Sequence, residues 1–346
     1  MRNGWLVHDR LQHFEGGGKY LWPWLLEWVP GLQNKCAEDK CGHIEFLSDY
    51  YEDLINEYGE PDYIVRDATY WRPVKLKKGK ILSVINCIRY ELAYQKLQKE
   101  VCNGSNKVIA VSNFVKDYYK NKIDNEIEVL PIGTDFNLFK PLNKEDSNKF
   151  NVLPNSILWV GDMTTFPKGF DILLRLIKET QYNFCVVLKR NVNIQMPEEY
   201  KKRVKFFTQL PHKDLTNVVK NCKLFLCTSR IETLHLASVE AGACNLPIVT
   251  TNVGLHKEEK SGKWGEVVDI EYIDTSSIYQ CLNKDDKAQL NIPITESNKV
   301  IVRYYLIPAI EKVFNNYDYY SPREYYYKKY STDAVKDKWI DLIDKL

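Results

Sequence analysis

The chain alternates short runs of β-branched and apolar residues with amphipathic helical patterns along most of its length. Such alternation is typical of α/β proteins, whose strands form a parallel sheet. The apolar runs are nearly continuous, as expected for strands that are covered on both faces. Strands are predicted in the first half at 4–9, 43–48, 62–67, 81–86, 107–112 and 127–133, and in the second half at 156–162, 183–189, 203–207, 223–229 and 247–251.

A polar, proline-flanked stretch, PLNKEDSNKFNVLPN at 141–155, separates the two sets of strands and indicates a linker. We predict an N-terminal Rossmann-like domain over 1–145, a second doubly wound domain over 146–315 and a C-terminal helical tail over 316–346. The 346 residues are enough for two cores of ordinary size. Ligands of open parallel sheets bind beyond the carboxyl ends of the strands, so the loops that follow the strands are the candidate sites.

Charge and cysteine usage exclude several classes of protein. Lys and Arg number 48 against 46 Asp and Glu, which argues against a nucleic-acid-binding protein, because such affinity depends on neutralising phosphates. We find no apolar run of about 18 residues that predicts a membrane span, and no signal-peptide pattern at the N-terminus. The nine cysteines contain no C-x-x-C pair. We interpret them as buried hydrophobic residues of a reducing compartment, and we expect a cytoplasmic protein.

Two glutamates, Glu232 and Glu240, lie eight positions apart in SRIETLHLASVEAGAC at 229–244. A direct acid–base pair is disfavoured, since glycosidase carboxylates lie about 5 to 9 Å apart, whereas eight helical residues rise by about 12 Å. Instead, we predict that Glu232 lies in the loop after the strand at 223–229 and that a helix beginning near 234–236 carries Glu240. The N-terminus of such a helix suits a phosphate. The glutamates could then bind hydroxyl groups on both sides of it, as a nucleotide sugar requires.

Several ordered segments resemble the family 4-type retaining glycosyltransferases. They are KVIAVSNFVKDYY (107–119), VLPIGTDFNLFKPL (129–142), VGDMTTFPKGFDILL (160–174), the strand–helix–strand pattern at 203–229, and the E-x7-E motif with its continuation AGACNLPIVTTNVG. The resemblance covers about residues 107–268. It implies the GT-B fold, in which two Rossmann-like doubly wound domains face each other across a cleft. It also implies transfer of a sugar (hexosyl type) from a nucleotide-diphosphate sugar to an acceptor hydroxyl, with retained anomeric configuration and release of nucleoside diphosphate.

The resemblance assigns roles to particular residues. It implies that Glu240 binds the ribose hydroxyls, that Glu232 contacts the donor sugar, and that Lys168 neutralises the diphosphate. Backbone N–H groups near the diphosphate would come from Thr233, Leu234, His235 and Leu236, and the glycine loop of the first domain would include Gly17 and Gly18. The family needs no metal ion or cofactor, and no His/Asp/Glu cluster in the sequence suggests one. The last helix is expected to cross back to the first domain.

The sequence departs from the family pattern at several positions. Asp162 stands where the family has a phosphate-binding arginine, and Lys189 and Arg190 are candidates for the missing cation. The other departures are Thr233 and His235 in place of glycines, Ile132 in place of an asparagine and Asn86 in place of a histidine. They leave open a catalytically inactive nucleotide-sugar-binding or scaffold protein. A sugar phosphorylase is a third alternative.

Plainer interpretations stay open for most of these positions. Glu240 could face solvent on its helix, Lys168 could lie in a surface turn, and the glycine loop could be an ordinary turn. The tryptophan-rich segment KYLWPWLLEWVPG at 19–31 predicts a core-facing helix, with an acceptor platform or a membrane-interface surface as alternatives. The basic stretch RPVKLKKGK at 72–80 is interpreted as a solvated loop, with anionic lipid as the alternative. The acceptor, whether glycan, lipid or protein, is not specified, and peripheral membrane contact remains an alternative.

Overall fold

The chain forms two compact units. The computed structural model describes residues 2–7, 18–35, 47–68, 74–88, 92–143, 147–162, 166–189, 196–257, 259–269 and 296–346. Unit 1 comprises Met1–Thr134 and Tyr330–Leu346, and unit 2 comprises Asp135–Lys329. The three-part division at 145 and 315 that the sequence suggested remains a prediction.

Unit 1 is built on a parallel sheet of six described strands. They are β1 (Gly4–Val7), β2 (Leu32–Asn34), β3 (Tyr63–Asp67), β4 (Lys80–Ile85), β5 (Lys107–Ala110) and β6 (Ile127–Val129), in the spatial order β2-β1-β3-β4-β5-β6. Every neighbouring pair is parallel. The order reverses between β1 and β3, which is the doubly wound pattern. The α/β class with parallel sheets is thus confirmed for this unit.

Five described helices belong to unit 1. They are α1 (Gly18–Trp28), α2 (Leu47–Tyr58), α3 (Leu92–Asn103), α4 (Asn113–Tyr119) and α12 (Thr332–Asp344). The tryptophan-rich segment forms α1, and Leu21, Trp22 and Leu25 are at most 1% exposed. The prediction of a core-facing helix is therefore confirmed.

Two sequence predictions for this unit need correction. The strand predicted at 43–48 is wrong at its end, because Leu47 and Ser48 begin α2; the apolar residues at Tyr51, Leu54 and Ile55 recur at helical spacing and pack into the core. Residues 43–46 lie outside the described residues. Strand β2 was not predicted, since it has only three residues and only Leu32 is buried.

The C-terminal helix α12 packs within unit 1. Ser331 caps it by accepting a hydrogen bond from the Ala334 amide. The indole Nε1 of Trp339 donates to the Pro131 carbonyl at 3.1 Å, and the ring is fully buried. The amide of Thr134 donates to the Tyr330 carbonyl at 2.8 Å, which fixes the approach to the helix. The last helix is therefore part of the core of this unit rather than a loose tail.

Unit 2 is built on a second parallel sheet. Its six described strands are β7 (Ile157–Gly161), β8 (Phe184–Leu188), β9 (Val204–Thr208), β10 (Leu224–Cys227), β11 (Ile248–Thr251) and β12 (Gly265–Val268), in the order β12-β11-β10-β7-β8-β9. The first five lie where the sequence predicted strands. Strand β12 was missed because its four residues follow a polar segment without a long apolar run. The order reverses between β7 and β10, so the loops after these two strands flank the switch point where such sheets bind ligands.

Helices cover this sheet and complete its core. They are α5 (Phe170–Glu179), α6 (Glu198–Lys201), α7 (His212–Lys220), α8 (Leu236–Ala243), α9 (Glu296–Ile301), α10 (Ile307–Asn315) and α11 (Pro322–Tyr330), with a π-helical turn at Val302–Leu306. Apolar residues of α5, α10 and the π turn pack on the strands in one cluster. Among the described helices, none is long and apolar enough to cross a bilayer.

Replacing Trp339 by alanine should destabilise unit 1. The change removes a buried ring and its hydrogen bond, and large aromatic-to-alanine changes in cores cost about 3 to 5 kcal/mol. The neighbouring exposed Lys338 offers a matched control, and Lys338→Ala should change stability by less than about 0.5 kcal/mol. Urea unfolding followed by fluorescence and circular dichroism would measure both. Equal stability of the two variants would contradict the packing of α12 into this core.

Candidate functional site

The candidate site lies at the switch point of the unit 2 sheet and is built from two loops. The β7 loop runs from 162 to 169 and ends in a 3-10 turn, Phe166–Lys168; residues 163–165 lie outside the described residues. The β10 loop runs from 228 to 235 and leads into α8. Both loops follow the carboxyl ends of adjacent strands, so their side chains converge at one edge of the sheet.

A buried ion pair joins these loops. The guanidinium of Arg230 donates to both carboxylate oxygens of Asp171, at 2.8 and 2.7 Å. Asn298 adds an amide donor to Asp171 at 2.7 Å, and the backbone amide of Arg230 donates to the Pro167 carbonyl. All three side chains of the network are less than a tenth exposed. Such a bidentate pair between arginine and a carboxylate is among the strongest charge-assisted hydrogen bonds. It fixes the β10 loop against the start of α5.

A second contact between the loops requires a glycine. Gly169 adopts a left-handed conformation with φ +66°, and a Cβ atom there would collide with the carbonyl oxygen of Thr228. The hydroxyl of Thr228 donates to the Gly169 carbonyl at 2.8 Å and accepts from the Trp159 indole at 2.9 Å. Position 169 therefore requires glycine for two reasons: the two loops pack closely there, and a side chain would strain the left-handed backbone.

Lys168 and Glu232, both predicted from the sequence as site residues, form a direct ion pair. The ammonium of Lys168 lies 2.7 and 2.9 Å from the two carboxylate oxygens of Glu232, and the Ser229 hydroxyl donates to the same carboxylate at 2.7 Å. The Glu232 side chain is 7% exposed, whereas that of Lys168 is 34% exposed. The carboxylate is thus held in the protein while the ammonium reaches the surface.

Each member of this ion pair stabilises the ionised form of the other. Burial alone would raise the pKa of Glu232, but the charges of Lys168 and His235 outweigh it and hold that pKa below its ordinary value. Burial alone would lower the pKa of Lys168, but Glu232 raises it above its ordinary value. Both groups are therefore ionised at neutral pH.

His235 is the last residue before α8 and has a left-handed backbone, with φ 71° and ψ 61°. This conformation explains why a glycine was expected there, since side chains disfavour it. The imidazole is buried between Phe225 and His256, and its Nε2 lies 3.7 Å from a Glu232 oxygen. Burial lowers the pKa of His235, but Cys227 and Glu232 raise it more, so the net shift is upward.

The remaining predicted residues of the β10 loop and α8 lie where the sequence suggested. Helix α8 begins at Leu236, and Glu240 lies in its second turn with 6% exposure. Leu234 is buried and its carbonyl accepts from the Leu255 amide at 3.3 Å, while Thr233 and Leu236 are partly exposed. Glu232 and Glu240 therefore stand on either side of a helix N-terminus.

The other predicted residues belong to other segments of the chain. Gly17 and Arg190 lie outside the described residues, and Gly18 begins α1 in unit 1. Lys189 directly follows β8, is exposed, and its amide donates to the Gly161 carbonyl at 3.3 Å, beside the start of the β7 loop. Asn86 follows β4 and Ile132 is buried, both in unit 1. Across the described part of the chain, no group of three or more His, Cys, Asp or Glu is arranged to hold a metal ion.

Sequence reasoning missed the Arg230–Asp171 pair, although both residues lie in the segments that it used. The available signal was a carboxylate among apolar residues at the start of a helix, in FDILL at 170–174, and an arginine beside the E-x7-E motif. A single sequence shows that two such charges exist in apolar surroundings, but it does not show that they face each other.

The family described as "Glycosyl transferases group 1" matches residues 154–280, which include both loops and α8. This segment is therefore similar to the group 1 glycosyl transferases. The GPI3 subunit of phosphatidylinositol N-acetylglucosaminyltransferase from Saccharomyces cerevisiae is 31% identical over 173 residues, covering 46% of this chain and 38% of that protein. A human protein that is named as part of the same transferase is 30% identical over 178 residues, covering 47% and 35%. The chain thus matches well under half the length of these relatives.

Solved structures extend the likeness to the whole fold. Sucrose-phosphate synthase from Thermosynechococcus elongatus superposes with a TM-score of 0.73 at 15% identity, over 100% of this chain and 99% of that one. HepE from Anabaena, in complex with UDP and glucose, gives 0.67 at 14% identity over the full length of both chains. The GT-B fold that the sequence resemblance implied is confirmed, as is the resemblance to family 4-like glycosyltransferases.

Replacing Arg230 by alanine should destabilise unit 2 and loosen both loops. The change leaves the Asp171 carboxylate buried without its cation, and breaking a buried pair in this way costs about 3 to 5 kcal/mol. Lys149 forms an ion pair with Asp214 in the same unit but is 62% exposed, and Lys149→Ala should cost at most about 1 kcal/mol. Chemical unfolding, with hydrogen exchange of 166–171 and 228–235, checks both. Unchanged exchange in Arg230→Ala would contradict the tie between the loops.

Proposed function

We propose that this chain transfers a sugar, of the hexosyl type, from a nucleotide-diphosphate sugar to an acceptor hydroxyl with retention of anomeric configuration. The observation that carries the proposal is the Lys168–Glu232 ion pair beside the N-terminus of α8, with Glu240 buried in the second turn of the same helix. This arrangement offers a cation, a set of backbone amides and two carboxylates within one loop and one helix.

The diphosphate is assigned to the N-terminus of α8. The first N–H groups of a helix have no partner within it, and they point with the positive end of the helix dipole toward an anion. Lys168 adds a full charge that is partly exposed and so accessible to a phosphate oxygen. Together they would stabilise the negative charge that develops on the leaving nucleoside diphosphate.

The two carboxylates are assigned to hydroxyl groups. A carboxylate accepts hydrogen bonds through both oxygens, and acidic side chains bind ribose hydroxyls in other doubly wound folds. Glu240 would bind the ribose on one side of the diphosphate, and Glu232 the donor sugar on the other side. The depressed pKa of Glu232 keeps it an acceptor at neutral pH.

The proposed reaction needs no general base from the protein. The bond between the anomeric carbon and the diphosphate oxygen breaks, and the acceptor oxygen bonds to that carbon on the same face. The proton of the acceptor hydroxyl passes to the leaving diphosphate oxygen. The role of Lys168 and the helix N-terminus is to stabilise that leaving group, and we infer that the reaction proceeds without a metal ion.

The relatives guide the choice of substrates. Their names describe N-acetylglucosaminyl transfer to phosphatidylinositol, and HepE was solved with UDP and with UDP-glucose. Uridine diphosphate sugars are therefore the first donors to test, and a lipid-linked alcohol is the first acceptor. Asp162, in place of the expected arginine, favours one alternative: a nucleotide-sugar-binding protein without turnover.

Thermal-shift measurements should identify the donor. Uridine, guanosine and adenosine diphosphate sugars are compared at equal concentration, and one of them should raise the unfolding temperature because it binds only the folded state. Glu240→Ala should weaken that binding by about tenfold or more, the effect of losing hydrogen bonds to a charged group. Glu198, whose side chain is 86% exposed in the same unit, offers the matched control Glu198→Ala. Equal stabilisation of the Glu240→Ala and Glu198→Ala variants would contradict the ribose assignment.

An assay of turnover distinguishes a glycosyltransferase from an inactive nucleotide-sugar-binding protein and from a sugar phosphorylase. With the bound donor and a mixture of acceptors, the proposal expects release of nucleoside diphosphate and a product whose anomeric configuration, read by proton NMR, equals that of the donor. Binding with neither transfer nor hydrolysis would indicate the inactive protein. Release of a sugar phosphate that depends on added phosphate would indicate a phosphorylase.

A further inference from the structure

Two departures from the family pattern face the same group of charges. Asp162 follows β7 in place of an arginine, and its negative charge contributes to the raised pKa of Lys168. His235 ends the β10 loop in place of a glycine, and its ring lies against Glu232. The β7 loop has thus lost a cation and gained an anion, while the β10 loop has gained a titratable ring.

The His235 ring is held toward Glu232. It is 7% exposed, its Nε2 lies 3.7 Å from Glu232 Oε1, and the side chain also interacts with that of Cys227. In the described part of the chain, Nδ1 is buried without a hydrogen-bond partner. The Glu232 carboxylate beside Nε2 favours a proton on that nitrogen.

Four titratable groups face this ring from the surrounding elements. Glu232 shares its loop, Cys227 ends β10, Lys168 comes from the β7 loop, and His256 comes from the 3-10 turn Gly254–His256. Burial and Lys168 oppose the imidazolium, whereas Cys227 and Glu232 favour it and prevail. The pKa of His256 is lowered well below its ordinary value by burial and by His235, so His256 stays neutral.

The proton on His235 changes the formal charge of the cluster. Lys168 and Glu232 cancel each other, and Asp162 adds a negative charge. Without a proton on His235 the cluster is net negative, which repels a diphosphate. With that proton the cluster is less negative by one charge, and Glu232 is shared between two cations, so that Lys168 can turn toward a phosphate oxygen.

We propose that His235 is a positioning residue that supplies the cation missing at Asp162, by pairing with Glu232 and releasing Lys168 to the donor diphosphate. The inference rests on the proposed function, since it concerns how the donor is bound. It makes His235 and Asp162 a compensating pair of changes, one in each loop of the site.

The proposal predicts a direction of pH dependence. Donor binding should be strong where His235 is protonated, below its raised pKa, and should weaken as the pH rises through that pKa. Glu232 stays ionised over the same range because its pKa is lowered. A nucleotide sugar is the right probe, since its diphosphate is esterified at both ends and does not titrate near neutrality, unlike a free terminal phosphate with a pKa of about 6.

The experiment measures affinity by calorimetry from about pH 5.5 to about pH 9, the range in which histidines titrate. The probe is the nucleotide sugar that stabilises the wild-type chain most. Wild-type affinity should fall about tenfold across the range, the size of one charged interaction. His235→Asn keeps a residue that tolerates the left-handed backbone and removes the charge; its affinity should be about tenfold weaker at low pH and independent of pH.

A double variant tests the compensation directly. His235→Gly combined with Asp162→Arg recreates the family pattern, and it should recover affinity relative to His235→Gly alone while losing the pH dependence. His256→Gln is the matched control, because burial and the charge of His235 hold the pKa of His256 well below its ordinary value; it should keep the wild-type slope. Circular dichroism confirms that each variant is folded.

Two outcomes would overturn the inference about His235, and a third would contradict the proposed function instead. A His235→Asn variant with wild-type affinity and slope would overturn it, as would an NMR titration of the wild-type imidazoles in which the pKa of His235 does not rise when the donor binds. Failure of every nucleotide sugar to bind the wild-type chain would instead contradict the proposed function itself.

Discussion

The buried Arg230–Asp171 ion pair is the interaction on which the position of the candidate site depends. Strands β7 and β10 are neighbours, so their loops begin side by side, and the ion pair then fixes the β10 loop against the start of α5. Burying two charges is costly unless each is fully paired, and Asn298 with the Pro167 carbonyl completes the pairing here. Lys168 and Glu232 flank this pair in sequence, and the ion pair between them follows from it.

Left-handed backbone positions explain much of the motif that connects the loops to α8. Gly169 precedes α5, His235 precedes α8, and Asn245 follows α8, each with a φ near +65°. The family pattern has glycine at the His235 position, and both His235 and Asn245 make side-chain contacts of their own. Asn245 accepts from the Arg323 amide at 3.2 Å. His235 carries a backbone cost of about 1 to 2 kcal/mol, which its buried contacts with Phe225 and Glu232 offset.

The sequence predicted much of unit 2, because long apolar runs and helical spacing are local signals that each element carries by itself. It predicted Lys168, Glu232 and Glu240 as separate residues of a motif. It did not predict that Lys168 and Glu232 pair directly, or that Asp171 and Arg230 hold them, because pairing across 59 or more positions is a property of the folded sheet. The short strands β2 and β12 were missed for a related reason: in segments this short, pairing with neighbouring strands decides the structure more than the local pattern does.

We propose that the Lys168–Glu232 pair and the N-terminus of α8 hold the diphosphate of a nucleotide sugar, and a crystal structure of this chain with its bound donor would test this. We expect a phosphate oxygen about 2.7 to 3.2 Å from Lys168 Nζ and from the first amides of α8, with the ribose hydroxyls on Glu240. A donor bound elsewhere, with no phosphate at that helix and with Glu240 away from the ribose, would contradict it.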